Sequence, residues 1–131
     1  MVREWRDFMK KIMNSALSVA LIGLLFVCTA NAELKATGSG DSMGIDTTGF
    51  PPDMVESYKV MEVKCKKCHS LERAVVAIQA GLGPISGDVF DKSSTEIYGI
   101  KMLRKPDSGM NKDEVKKVIK LLDYLIDLAA K

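Results

Sequence analysis

The chain has 131 residues, with 19 Lys and Arg against 17 Asp and Glu, one histidine and three cysteines. The excess positive charge belongs to the N-terminal head: beyond residue 32 the chain carries fifteen basic and fifteen acidic residues. Zero net charge excludes a globally basic nucleic-acid binder, and the 99 residues after position 32 suffice for one domain but not two.

The first 32 residues read as a secretory signal peptide. A head containing Arg3, Arg6, Lys10 and Lys11 precedes the apolar run Ile12 to Cys28, and the run ends in Thr29-Ala30-Asn31-Ala32. Basic head, apolar middle and A-x-A end predict cleavage after Ala32. Met9-Lys10-Lys11 is the more ordinary opening, so translation is expected to start there, with Met1 as the alternative. Cys28 follows Val27 rather than the small residue a lipid-attachment site wants, so it reads as one more apolar residue of the signal. No stable membrane association is expected once the segment is removed.

Residues 33–52 are rich in Gly, Ser and Thr and end in Pro51-Pro52. They predict a loop-like, partly flexible extension ahead of a domain over 53–131. Asp53 is expected to cap a first helix, in which Met54, Tyr58, Met61 and Cys65 recur on one face. Leu71 to Ala80 predicts a second helix closed by Gly81, and residues 81–92 a loop. Ser93-Ser94-Thr95-Glu96 has capping-box spacing, predicting a third helix to about Arg104, ahead of Pro106. Asp107-Ser108-Gly109 is turn chemistry. Asn111 with Glu114 caps a last helix, whose Val115, Val118, Ile119, Leu122, Leu125, Ile126 and Ala129 keep the helical period. Strand-like alternation is absent, so the domain is expected to be all-α, with about four helices.

Chemistry concentrates at Cys65-Lys66-Lys67-Cys68-His69, which holds both cysteines that survive maturation and the single histidine. C-x-x-C-H is the attachment signature of c-type haem. Two thiols three positions apart on one helical turn can add to the two vinyl groups of a haem, and the next residue offers its imidazole to the iron. A zinc site needs about four ligands and this region supplies three. A thioredoxin-type pair needs strands around it, and a plain disulfide leaves the placement of His69 unexplained. One covalent haem c is the expected cofactor.

On these residues the chain resembles the class I monohaem cytochromes c, over roughly Asp53 to Lys131. The resemblance implies a fold of about four helices around one haem, with the first helix crossing the last near Ser57 and Tyr124. The family has a small residue eight before the first Cys, here Ser57, and an aromatic four before it, here replaced by Met61. Tyr124-Leu125 matches its aromatic–aliphatic pair on the last helix. Gly83-Pro84 is a candidate for the Gly-Pro whose proline carbonyl orients the proximal histidine, here His69. Ile97 to Arg104 followed by Ser108-Gly109-Met110 is similar to the family's aromatic, Met and loop-borne ligand Met, with Tyr98 standing where many members have Trp.

Five methionines survive maturation: Met43, Met54, Met61, Met102 and Met110. Met54 and Met61 share the face of Cys65 and suit core filling, and Met102 falls late in a helix at core spacing. Met110 follows a glycine, sits in a turn and immediately precedes a cap, so it is taken as the distal iron ligand. Met102 is the rival and Met43 the third candidate. A His/Met-ligated haem exchanges one electron and does little else, so the expected function is a periplasmic single-electron carrier, not an enzyme. The alternatives are a haem-based sensor or ligand-binding module with a displaceable Met110, and an electron-relay subunit of a larger oxidoreductase. Lys59, Lys64, Lys66, Lys67 and Arg73 crowd the attachment side, where they would either steer a redox partner with an acidic docking surface or simply be solvated.

Overall fold

The computed structural model describes residues 33–130. The signal-peptide reading lies outside those residues. The described chain is mostly helical, with four α-helices and one very small sheet. Strands β1 (Ala36–Thr37) and β2 (Gly44–Ile45) pair antiparallel, Ala36 opposite Ile45. Helices α1 (Pro52–Cys65), α2 (Glu72–Ala80), α3 (Lys92–Leu103) and α4 (Lys112–Ala129) follow. No helix among the described residues is long and apolar enough to cross a membrane.

Helix α4 organises the rest. Its Val115, Val118, Leu121, Leu122, Leu125 and Leu128 are all buried, with Leu121 and Leu125 at 0% exposure. Their i, i+3, i+4, i+7 spacing puts them on one stripe, and α1, α2 and α3 all pack against it. Asn111 starts the helix: its side chain accepts from the amides of Asp113 and Glu114, and the Glu114 carboxylate accepts from the Asn111 amide. This reciprocal box is the one expected from the sequence.

The starts of α1 and α3 differ from expectation. Helix α1 begins with Pro52 in its first turn, after Pro51, because proline's fixed φ suits that position. Asp53 therefore lies inside the helix, where its carboxylate accepts from Lys120 Nζ at 2.8 Å. Helix α3 is capped by Asp91, whose Oδ1 accepts from the Ser93 and Ser94 amides at 2.9 and 3.1 Å. A carboxylate at that end also meets the positive end of the helix dipole, which a serine hydroxyl does not. Gly81 closes α2 in the left-handed region as expected.

Within 33–52, expected as a loop-like, partly flexible extension, most residues are exposed, but Gly44, Ile45 and Phe50 are buried. Ile45 and Phe50 are 5% and 8% exposed within the core cluster. Phe50 meets the Tyr124 ring edge-on, 5.1 Å between centroids, and the Tyr58 hydroxyl accepts from the Ile45 amide at 3.0 Å. Ser57 is buried, its hydroxyl donating to the Asp53 carbonyl at 2.7 Å within α1, and Tyr124 packs its ring on Phe50. Three ion pairs join α1 to α4: Asp53–Lys120, Glu56–Lys117 and Lys64–Glu114.

Five carboxyls are held below their ordinary range, three by neighbours in the chain and two by lysines that the fold brings to them. The Thr48 side chain acts on Asp46, Lys120 on Asp53, Lys117 on Glu56, the Ser93 hydroxyl on Asp91 and the Asn111 amide on Glu114. A depressed carboxyl contributes stability above its unfolded value and loses it as pH falls through the folded one. The urea midpoint should therefore hold from neutral pH to near 4.5, the ordinary glutamate value, and decline below it. A midpoint that rises on acidification would contradict these assignments.

Candidate functional site

Helix α1 ends at Cys65, and the chain continues as one further turn. The Cys65 carbonyl accepts from the amides of both Cys68 and His69, each at 3.4 Å. Cys65 and Cys68 thus stand one turn apart, with His69 directly after. Cys65 is half-buried and Cys68 exposed; both are free thiols. Burial, and secondarily the neighbouring Cys68, pushes the Cys65 thiol up to about 11, so it is protonated at neutral pH. His69 Nδ1 lies 2.9 Å from the Ser70 carbonyl. A carbonyl only accepts, so Nδ1 carries the proton in this contact, and in the neutral ring that leaves Nε2 with the lone pair a metal needs.

These residues face an open cleft of about 220 Å³. Every helix contributes to its wall. Met61 and Cys65 come from α1, Ala74 and Arg73 from α2, Tyr98, Gly99 and Met102 from α3, and Val115, Val118 and Leu122 from α4. His69, Pro84, Ile85, Phe90 and Met110 complete it from the connecting segments. The lining is overwhelmingly apolar; Arg73 is its charged side chain with a fixed positive charge. Among the described residues, no three His, Cys, Asp or Glu side chains gather closely enough to hold an ion by themselves.

The sequence-derived candidates are therefore largely assembled in one place. Cys65, His69, Pro84, Met102 and Met110 all line the cleft, and Cys68 sits exposed on the adjoining turn. The carbonyl that meets His69 Nδ1 is that of Ser70, while Pro84 serves as wall. Both methionines face the cleft, Met102 from a helix and Met110 from a turn. Met54, on the same helix face as Met61, is buried in the core. Met43 packs at the core's edge and is not part of the lining.

The Met110 turn is built in detail. Pro106–Ser108 forms one turn of 3-10 helix, and Gly109 follows at φ 58°, a left-handed backbone that favours glycine. The buried Ser108 hydroxyl accepts from the Met110 amide at 3.3 Å.

Sequence reasoning missed two parts of this site. Phe90 reaches the cleft from the loop after α2 and tilts against Tyr98, 5.5 Å between centroids. Gly99 lets α3 approach α4: a Cβ there would lie 2.6 Å from Ile119 Cδ1 and 3.1 Å from Val115 Cγ1. A helix-interior glycine amid apolar period was the available signal for the second. Comparison with protein-family models, curated proteins and solved structures gives no match.

A branched side chain at position 99 would push α3 off α4 and crowd the cleft. Gly99→Val should lower stability by about 1–3 kcal/mol, the usual cost of overpacking, read as a shift in urea midpoint at constant slope. An unchanged midpoint would show that Ile119 gives way freely.

Proposed function

We propose that the mature chain is an exported single-electron carrier with one covalent haem c, in a class I cytochrome c fold. His69 is the proximal iron ligand and Met110 the distal one, with Met102 as rival. The observation that carries this reading is the convergence of Cys65, His69, Met102 and Met110 on one apolar cleft, although His69 and Met110 stand forty-one residues apart. The donor set is soft and neutral: an imidazole with a free nitrogen, two thioethers and a protonated thiol. That set suits iron already held in a macrocycle better than a bare divalent ion, which would want more ligands or charged ones.

Bound there, the haem iron would exchange one electron between its ferrous and ferric states. The chain's own residues do the rest. Cys65 and Cys68 would hold the group through thioether bonds to its two vinyl positions, an addition that needs no oxidant. Cys65 and Cys68 are one turn apart as this requires. The Ser70 carbonyl fixes the His69 tautomer, and the apolar wall excludes water, which favours the less charged state of the iron. Arg73 is the wall residue suited to a haem carboxylate. The segment Ile12 to Ala32 supports export to the periplasm, where such attachment takes place. Redox partner proteins with acidic surfaces remain the proposed donors and acceptors.

Two experiments test the reading. The exported protein should have the mass of residues 33–131 plus one haem; an apo mass from cells with working attachment machinery would sink it. Met110→Ala should abolish the weak sulfur-to-iron band of the oxidised form, lower the reduction potential and admit carbon monoxide, while Met102→Ala should leave the band in place. The reverse pattern would transfer the ligand role to Met102, and indifference to both substitutions would favour the sensor reading.

A further inference from the structure

Among the ion pairs between α1 and α4, one differs from the rest. Asp53–Lys120 and Glu56–Lys117 are well exposed, but Lys64 and Glu114 are only 21% and 23% exposed. Lys64 also does something the other lysines do not: its Nζ donates to the Gly109 carbonyl at 2.6 Å, across a sequence separation of 45. That carbonyl belongs to the peptide unit whose nitrogen is Met110's. The N–H of the same unit is held by Ser108 Oγ. The next amide, Asn111's, is held by Glu114, which also accepts from Lys64. Met110 is thus flanked by two peptide units, each anchored, and Lys64 contributes to both. Lys64 is at the same time the residue before Cys65.

We propose that Lys64 is the positioning residue for Met110, tying the turn that carries it to the helix end that carries Cys65. The aliphatic stem reaches along α1 and the ammonium grips the Gly109 oxygen, so the two walls of the cleft are joined by one side chain. A half-shielded charged donor on a backbone carbonyl is stronger than an exposed ion pair. The contact with Gly109, rather than the charge pairing with Glu114, is what aims the thioether. This inference uses the haem reading for its spectroscopic consequence but not for its structural one.

The test is made on the exported protein with Lys64→Met, Lys64→Arg and Glu114→Gln. Lys64→Met keeps the stem and removes the donor. Hydrogen exchange at the Met110 amide should quicken by about tenfold, the order set by one charge-assisted hydrogen bond, with the urea midpoint little changed. In the oxidised holoprotein the sulfur-to-iron band should weaken. Lys64→Arg should restore both, because a guanidinium still donates to a carbonyl. Glu114→Gln keeps an acceptor for the Asn111 amide and leaves Lys64 its Gly109 contact, so it should change neither readout appreciably. Met110 exchange that is unmoved in Lys64→Met overturns the proposal, as does a Glu114→Gln effect equal to that of Lys64→Met. Should Lys64→Met fail to accumulate, Lys64→Gln, too short to reach Gly109, is read the same way. If the protein carries no haem, the exchange measurement still decides the role of Lys64, so the two readings fail separately.

Discussion

The apolar stripe of α4 is the constraint on which the domain depends. Three helices with modest apolar faces of their own make their most extensive contacts there, and Leu121 and Leu125 lose all contact with solvent in the process. Burying a leucine contributes about 1.5–3 kcal/mol, so a handful of such residues on one helix outweighs the exposed ion pairs at its rim. The N-terminus of α4 is fixed by the Asn111–Glu114 box, which fixes in turn the chain just before it. The turn with Met110 is therefore tied to α4 on one side, as Lys64 ties it to α1 on the other.

The same stripe does double duty. Val118 and Leu122 belong to the core and also form wall of the cleft. Core and site are one continuous apolar body, divided by side chains rather than by elements. A flat apolar ligand in that cleft would extend the core, which matters for a domain of this size, where the buried fraction is small. Gly99 shows how closely the arrangement is drawn: one methyl group there would collide with Ile119.

What was legible in the sequence was what is local. Cys65, Cys68 and His69 lie within five residues, so their placement on one turn needs nothing beyond a helix end. The Asn111 box and the α4 stripe are likewise written in short spacings. The start of α3 was misplaced because Ser93 to Glu96 fits a capping pattern, while Asp91, two residues earlier, offers a full carboxylate to the Ser93 and Ser94 amides. Residues 33–52 carry lone apolar residues, Ile45 and Phe50, among Gly, Ser and Thr, with no period to reveal that they reach the core. Lys64 read as one of several lysines near the motif; its partner Gly109 is far along the chain, and no local pattern connects them. Met110 was preferred to Met102 for its place in a turn, and the fold brings both to the cleft.

The alternation of charge between α1 and α4 has a consequence for how the helices find their alignment. Two acidic residues of α1, Asp53 and Glu56, meet lysines of α4, and then Lys64 meets an acid. Slide α4 by one turn in one direction and Lys117 approaches Lys64 while Asp123 approaches Asp53. Slide it the other way and Asp113 comes up to Glu56 while Lys64 loses its partner. Each correct pair contributes less than about 1 kcal/mol on its own, yet a slipped pairing keeps only one attraction and sets like charges together at another site. Leucines every third or fourth position would accept either slip with little loss. The charges supply what the leucines lack: a vernier that distinguishes the native alignment from its neighbours one helical turn away.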